Sequence, residues 1–124
     1  MLSALVADDD EDSRAWLRAV LESAGIEVDE ALDGADLLWV LGQPHSYDIV
    51  ITDVLMPLPQ GHTVVAMARS LGMETPFLVV SSHMGAPIID ALAGMARVRV
   101  LAKPLSRARV LASITSVLED PWSA

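Results

Sequence analysis

YDIVITDVLMPLPQG, running from Tyr47 to Gly61, is the stretch on which the fold turns. Asp48–Asp53 reads as a central strand, because its apolar residues are continuous rather than alternating, as a strand covered on both faces requires. The run stops at Asp53, and the Pro-Gly loop Met56–Gly61 follows. A carboxylate therefore stands where a buried strand ends.

The same alternation extends outward in both directions. Ser3–Ala7 is a short apolar strand that ends in Asp8, Asp9 and Asp10. Trp16, Leu17, Val20, Leu21 and Ala24 then follow helical spacing until Gly25. Ile26–Ala31 mixes apolar and acidic residues, as a strand with one exposed face does. Asp33 can cap a short helix over Ala35–Leu41, closed by Gly42 and Pro44. Beyond the central loop come a helix near Thr63–Leu71 and a second buried strand, Thr75–Ser81. Ser82–Ala96 is only weakly helical, with Gly85, Pro87 and Gly94 disturbing it. A short strand over Arg99–Ala102 and a helix over Ser106–Leu118 complete the chain. Trp16 and Trp39 are expected to pack on helix faces. Five strands alternating with five helical segments specify an α/β fold, a doubly wound five-stranded parallel sheet with helices on both faces.

The 124 residues suit one domain, and 52% hydrophobic against 20% charged residues allow a sizeable core. No apolar run approaches the roughly 18 residues that cross a bilayer, and the N-terminus has no signal-peptide pattern, so a cytoplasmic protein is expected. The absence of cysteine excludes disulfides and thiolate chemistry. A net charge of -9 argues against direct nucleic-acid binding. Residues 1–53 carry 13 acids against Arg14 and Arg18, whereas 97–109 carry Arg97, Arg99, Lys103, Arg107 and Arg109 with no acid. This asymmetry suggests a cation-binding region in the first half and a basic docking face in the second.

In an open parallel sheet, ligands bind at the carboxyl ends of the strands. Those ends here carry Asp8, Asp9, Asp10, Asp53, Ser81, Ser82 and Lys103. Clustered carboxylates repel unless a cation sits among them, and hard oxygen donors suit Mg²⁺. A carboxylate beside such a cation can attack a phosphoryl group, with a lysine ammonium neutralising the transferring oxygens. His45, His62 and His83 show no metal-ligand spacing.

Four motifs in order resemble the receiver domain of bacterial two-component response regulators. LVADDDEDSR resembles the acidic cluster after its first strand, and YDIVITDVLMPLPQG the acceptor segment, with Met56-Pro57 and Gly61 in place. PFLVVSS resembles the strand ending in the switch hydroxyl, and VLAKP the Lys-Pro strand end. The resemblance covers about residues 2 to 119. It implies flavodoxin-like topology with strand order 2-1-3-4-5 and one receiver domain over 1–124, with 119–124 a frayed tail. It implies Asp53 as phosphoacceptor, Asp9 as a direct Mg²⁺ ligand, Asp8 acting mainly through water, and the Leu55 backbone carbonyl as a third ligand. Ser81 and Lys103 would close on the phosphoryl group, and Lys103–Pro104 would be cis. Leu55 and His83 take the variable flanking positions that tune water access. Val100 stands where the family usually has its switch aromatic.

The resulting expectation is a self-modifying switch rather than an enzyme. Its phosphodonor would be a sensor histidine kinase or a phosphotransfer protein, its output partner would dock on the basic 97–109 region, and it could pair as a homodimer. Two other readings fit the same residues. One is a receiver-like interaction module independent of phosphorylation. The other is a Mg²⁺-dependent aspartyl phosphatase of haloacid-dehalogenase type, which wants a second Asp where Leu55 stands.

Overall fold

The two apolar runs that read as central strands are buried at every position, Ile49–Asp53 and Phe77–Ser81. The computed structural model describes residues 1–45, 47–82 and 85–119. Strands β1 (Ser3–Ala7), β2 (Glu27–Ala31), β3 (Ile49–Asp53), β4 (Phe77–Ser81) and β5 (Val98–Ala102) alternate with five helices. These are α1 (Glu11–Ser23), α2 (Gly34–Gly42), α3 (Gly61–Ser70), α4 (Ala86–Ala93) and α5 (Arg107–Glu119). Every strand pair is parallel, and the order is β2-β1-β3-β4-β5, as expected. Helix α5 reaches Glu119, the first residue of the stretch expected to fray; the other five lie outside the described residues.

Successive strand residues point to opposite faces, so each strand feeds two cores. Ala4, Val6, Ile49, Ile51, Leu78 and Val80 meet Leu17 and Leu21 of α1 and Val110, Ile114 and Val117 of α5. Leu5, Val50, Phe77 and Val79 meet Leu37 of α2, Val64 and Val65 of α3 and Leu92 of α4. Each fully buried large apolar side chain contributes about 1.5–3 kcal/mol, so these layers rather than local propensity hold the short helices.

Two expectations change. Gly85, Pro87 and Gly94 do not interrupt a helix but bound one. Gly85 is the N-cap of α4, Pro87 lies in its first turn and Gly94 is the C-cap. A first-turn proline removes an N–H that has no intrahelical acceptor, so it fits there. Trp39 does not pack: it is 65% exposed, because Gly34, Leu37 and Leu41 form the buried side of α2. Trp16 is also partly exposed.

The loop after β3 folds back tightly on the strand. Gly61 N–H donates to Val54 O at 2.9 Å, and a Cβ on Gly61 would lie 1.8 Å from Asp53 O. On the β2 edge, the Tyr47 hydroxyl donates to Asp29 Oδ2 at 2.6 Å. Burial first, and then the Asp29 carboxylate, push the Tyr47 phenol up to about 12.

Gly61→Ala should destabilise the protein by about 3 kcal/mol in urea unfolding, because backbone must move to admit the methyl. Gly42→Ala, with open space around it, should stabilise by about 0.4–1 kcal/mol. Equal effects would refute the close approach at Gly61. Tyr47 is the sole tyrosine, so phenolate absorbance should titrate near 12 in the folded protein and move down toward 10 in Asp29→Asn. Because the neutral phenol is favoured in the fold, its contribution to stability is complete below pH 10 and is lost as pH rises through 12. A midpoint near 10 in the wild type would contradict the Tyr47–Asp29 contact.

Candidate functional site

Parallel strands all finish on one edge, so residues 8, 53, 81 and 103 reach a common rim despite their separation in sequence. Asp8 follows β1 directly, and its backbone N–H donates to Ala31 O at 3.2 Å, extending the pairing with β2. Asp53 closes β3. Both carboxylates are buried, Asp8 at 1% exposure and Asp53 at 6%. Lys103 follows β5, held by its backbone N–H to Ser81 O at 2.9 Å, and the Lys103–Pro104 bond is cis as expected.

The side chains converge. Lys103 Nζ donates to Asp53 Oδ2 at 2.7 Å and lies 3.7 Å from Asp8 Oδ2. Asp53 Oδ1 accepts the Leu55 N–H at 3.0 Å, and Asp8 Oδ1 accepts the Asp10 N–H at 2.9 Å. Asp8 Oδ2 is buried and has no hydrogen-bond partner among the described residues. Burial pushes the Asp8 carboxyl above its ordinary range, and the charges of Asp53 and Asp9 push the same way against the Asp10 N–H and Lys103. Burial alone would lower the Lys103 ammonium, but its hydrogen bond and charge pairing with Asp53, helped by Asp8 and Asp10, raise it instead. Lys103 therefore stays a cation.

Of the residues singled out in the sequence, Asp8, Asp53 and Lys103 come into direct proximity. Asp9 is exposed beside Asp8. Asp10, from the same acidic run, caps α1 instead, its Oδ2 accepting the Ser13 N–H at 3.0 Å and the Ser13 hydroxyl at 2.6 Å. Ser81 is fully buried at the end of β4, one position beyond Val80, the β4 partner of Asp53. Leu55 flanks Asp53 and is 45% exposed. Val100 pairs with Val79 and packs, partly buried, on the α2–α4 side of the core. His83 lies outside the described residues.

The bases of 97–109 make separate local contacts. Lys103 belongs to the acidic rim. Arg99 Nε reaches Ser116 Oγ on α5 at 3.3 Å, Arg107 reaches Ser23 Oγ on α1, and Arg109 donates to Pro104 O at 3.2 Å.

Among the described residues, no three acidic or histidine side chains enclose a point as a complete metal cage. The rim instead offers Asp8 Oδ2, buried without a hydrogen bond, the exposed Asp9 and the Asp53 carboxylate. An all-oxygen set short of a full cage fits Mg²⁺, which takes one or two carboxylates and keeps several waters.

One residue at the rim escaped the sequence reading. Arg14 Nη1 donates to Asp8 O at 2.9 Å while its Nε donates to Glu30 Oε1 at 2.6 Å. The available clue was two arginines, Arg14 and Arg18, in a half of the chain otherwise rich in acids.

A family model for the response regulator receiver domain matches residues 4–115. The chain is 33% identical over 113 residues to the two-component response regulator ORR41 of Oryza sativa subsp. japonica, covering 89% of each chain. It is 32% identical over 116 residues to the transcriptional regulatory protein PrrA of Mycobacterium leprae (strain TN), covering 92% of this chain and 48% of PrrA. It thus spans about half the length of that relative. The receiver domain of the Francisella response regulator 1452 superposes with a TM-score of 0.85 at 25% identity, over 96% of this chain and 98% of the other. By sequence, strand order and rim geometry together, this chain belongs to the response regulator receiver domain family.

Proposed function

We propose that the chain is a phosphoacceptor switch in which Asp53 takes a phosphoryl group from a sensor histidine kinase or phosphotransfer protein, with Mg²⁺ at the acidic rim. The observation that carries this reading is one ammonium, Lys103, placed 2.7 Å from Asp53 and 3.7 Å from a second buried carboxylate whose oxygen has no hydrogen-bond partner. Asp8, Asp9, Asp53 and the Leu55 carbonyl would hold the Mg²⁺, which when bound supplies positive charge against the transferring phosphoryl oxygens.

In the transfer, an Asp53 oxygen bonds to phosphorus while the phosphorus–nitrogen bond of a phosphohistidine breaks, its electron pair returning to the imidazole. The Leu55 N–H orients the carboxylate through Oδ1. Lys103 already stands at Oδ2 and follows the added charge with little rearrangement. Ser81, buried on the neighbouring strand end, supplies a hydroxyl to a phosphate oxygen. Leu55, which flanks the acceptor and is half-exposed, sets water access, and hence the lifetime of the modified state. Shifts coupled in this way are typically about 1–3 kcal/mol, so phosphorylation biases a population rather than imposing one state. With Val100 in place of an aromatic, the shift travels through Ser81 and Lys103 rather than through a swinging ring.

The remaining bases, Arg97, Arg99, Arg107 and Arg109, surround β5 and α5 and supply a docking face for an acidic output partner. No helix among the described residues is long and apolar enough to cross a membrane.

Incubation with Mg²⁺ and acetyl phosphate, followed by intact-mass measurement, should give one added phosphoryl group per chain, absent in Asp53→Asn. Steady consumption of donor without an adduct would favour the aspartyl phosphatase reading, and no reaction the phosphorylation-independent module. Reversing charge at Arg99 and Arg109 together should weaken binding of the phosphorylated chain to its output partner at least several-fold in a titration, more so at low salt. Unchanged affinity would move the docking face elsewhere.

A further inference from the structure

We propose that Arg14 is a positioning residue for the cation site, fixing the main chain of Asp8 so that one carboxylate oxygen faces the rim. The inference rests on the Mg²⁺ reading above and adds to it a residue that touches neither the ion nor the phosphoryl group.

Asp8 is held by three contacts that exhaust its local freedom. Its N–H is on Ala31 O, its carbonyl accepts Arg14 Nη1 at 2.9 Å, and its Oδ1 accepts the Asp10 N–H. Only Oδ2 is left over, buried, without a hydrogen-bond partner and 3.7 Å from Lys103 Nζ. The Asp10 contact comes from the same turn and moves with it. Arg14 comes from α1 and is itself tied to β2 through Glu30, so it anchors the turn to the body of the fold. Its side chain is only 13% exposed, which restricts its rotamers.

A cation placed near a metal site would ordinarily repel the metal. Glu30 removes that objection. It accepts Arg14 Nε through Oε1 and Arg18 Nη1 through Oε2, and those bonds hold its carboxyl below the usual range. Arg14 thus acts on Asp8 as a hydrogen-bond donor whose charge is compensated on the opposite side. Arg18 shares Glu30 and also pairs with Glu22 at 3.3 Å, and none of its described hydrogen bonds or ion pairs reaches Asp8. The two arginines therefore separate positioning of the site from general support of the α1–β2 contact.

Outer residues that orient metal ligands typically change affinity about 10–100-fold when removed. Calorimetric titration of the intact chain with MgCl₂ should show Arg14→Gln weakened at least about tenfold, with Arg18→Gln within about twofold of wild type. Circular dichroism melts without Mg²⁺ check that each variant is folded. If Arg14→Gln does not fold, Arg14→Lys takes its place. A lysine ammonium lacks the planar fork that serves Asp8 O and Glu30 Oε1 from two nitrogens, so an intermediate loss is expected. Wild-type affinity in the folded Arg14 variant, or an equal loss in Arg18→Gln, overturns the assignment. Absence of Mg²⁺ binding by the wild type overturns instead the site reading on which it stands.

Discussion

The ion pair between Lys103 and Asp53, 2.7 Å across, is the contact on which the rim depends. Buried charges are tolerated only when paired and hydrogen-bonded, and removing one partner of such a pair costs about 3–5 kcal/mol. The ammonium arrives from β5 and the carboxylate from β3, with β4 between them. The pair therefore exists only because both intervening ladders hold register, Asp53 opposite Val80 and Ser81 opposite Ala102. The apolar layers on both faces of the sheet fix that register, so the core serves the site by aligning strand ends.

The same rim breaks a local rule of stability. Asp8 is buried beside another acid, with an oxygen that makes no hydrogen bond and with its carboxyl raised above the ordinary range by burial. A core built for stability alone would not carry it, since a buried polar atom without a partner is costly. Departures of this kind from local rules are characteristic of functional sites. Lys103, shared between Asp53 at 2.7 Å and Asp8 at 3.7 Å, is the element that charge added at the rim would redistribute.

Elements with a strong repeating pattern were legible. Ile49–Asp53 and Phe77–Ser81 are continuous apolar runs, which parallel strands covered on both faces require. Asp33 was recognisable as a cap, and its Oδ1 accepts the Asp36 N–H at 2.8 Å. What misled was context. Gly85, Pro87 and Gly94 read as breakers in a long weak helix, yet the same residues serve as ends of an eight-residue one. Trp39 read as packing by its apolar character, but helical phase places it opposite Leu37 and Leu41. In the run Asp8-Asp9-Asp10 the three acids look equivalent, whereas one is buried, one exposed and one a helix cap.

The sequence by itself determined the alternation of strands and helices, the parallel sheet and the set of residues at its carboxyl edge. Hydrophobic periodicity and strand-end chemistry are local, so they can be read without knowing which segments meet. Only the tertiary structure decided how those residues divide the work. Which oxygen of Asp8 is left without a hydrogen bond, how Lys103 is shared, and that Arg14 reaches Asp8 while Glu30 balances its charge depend on distances between segments remote in the chain. Such distances follow from packing and register, which no single stretch of sequence encodes.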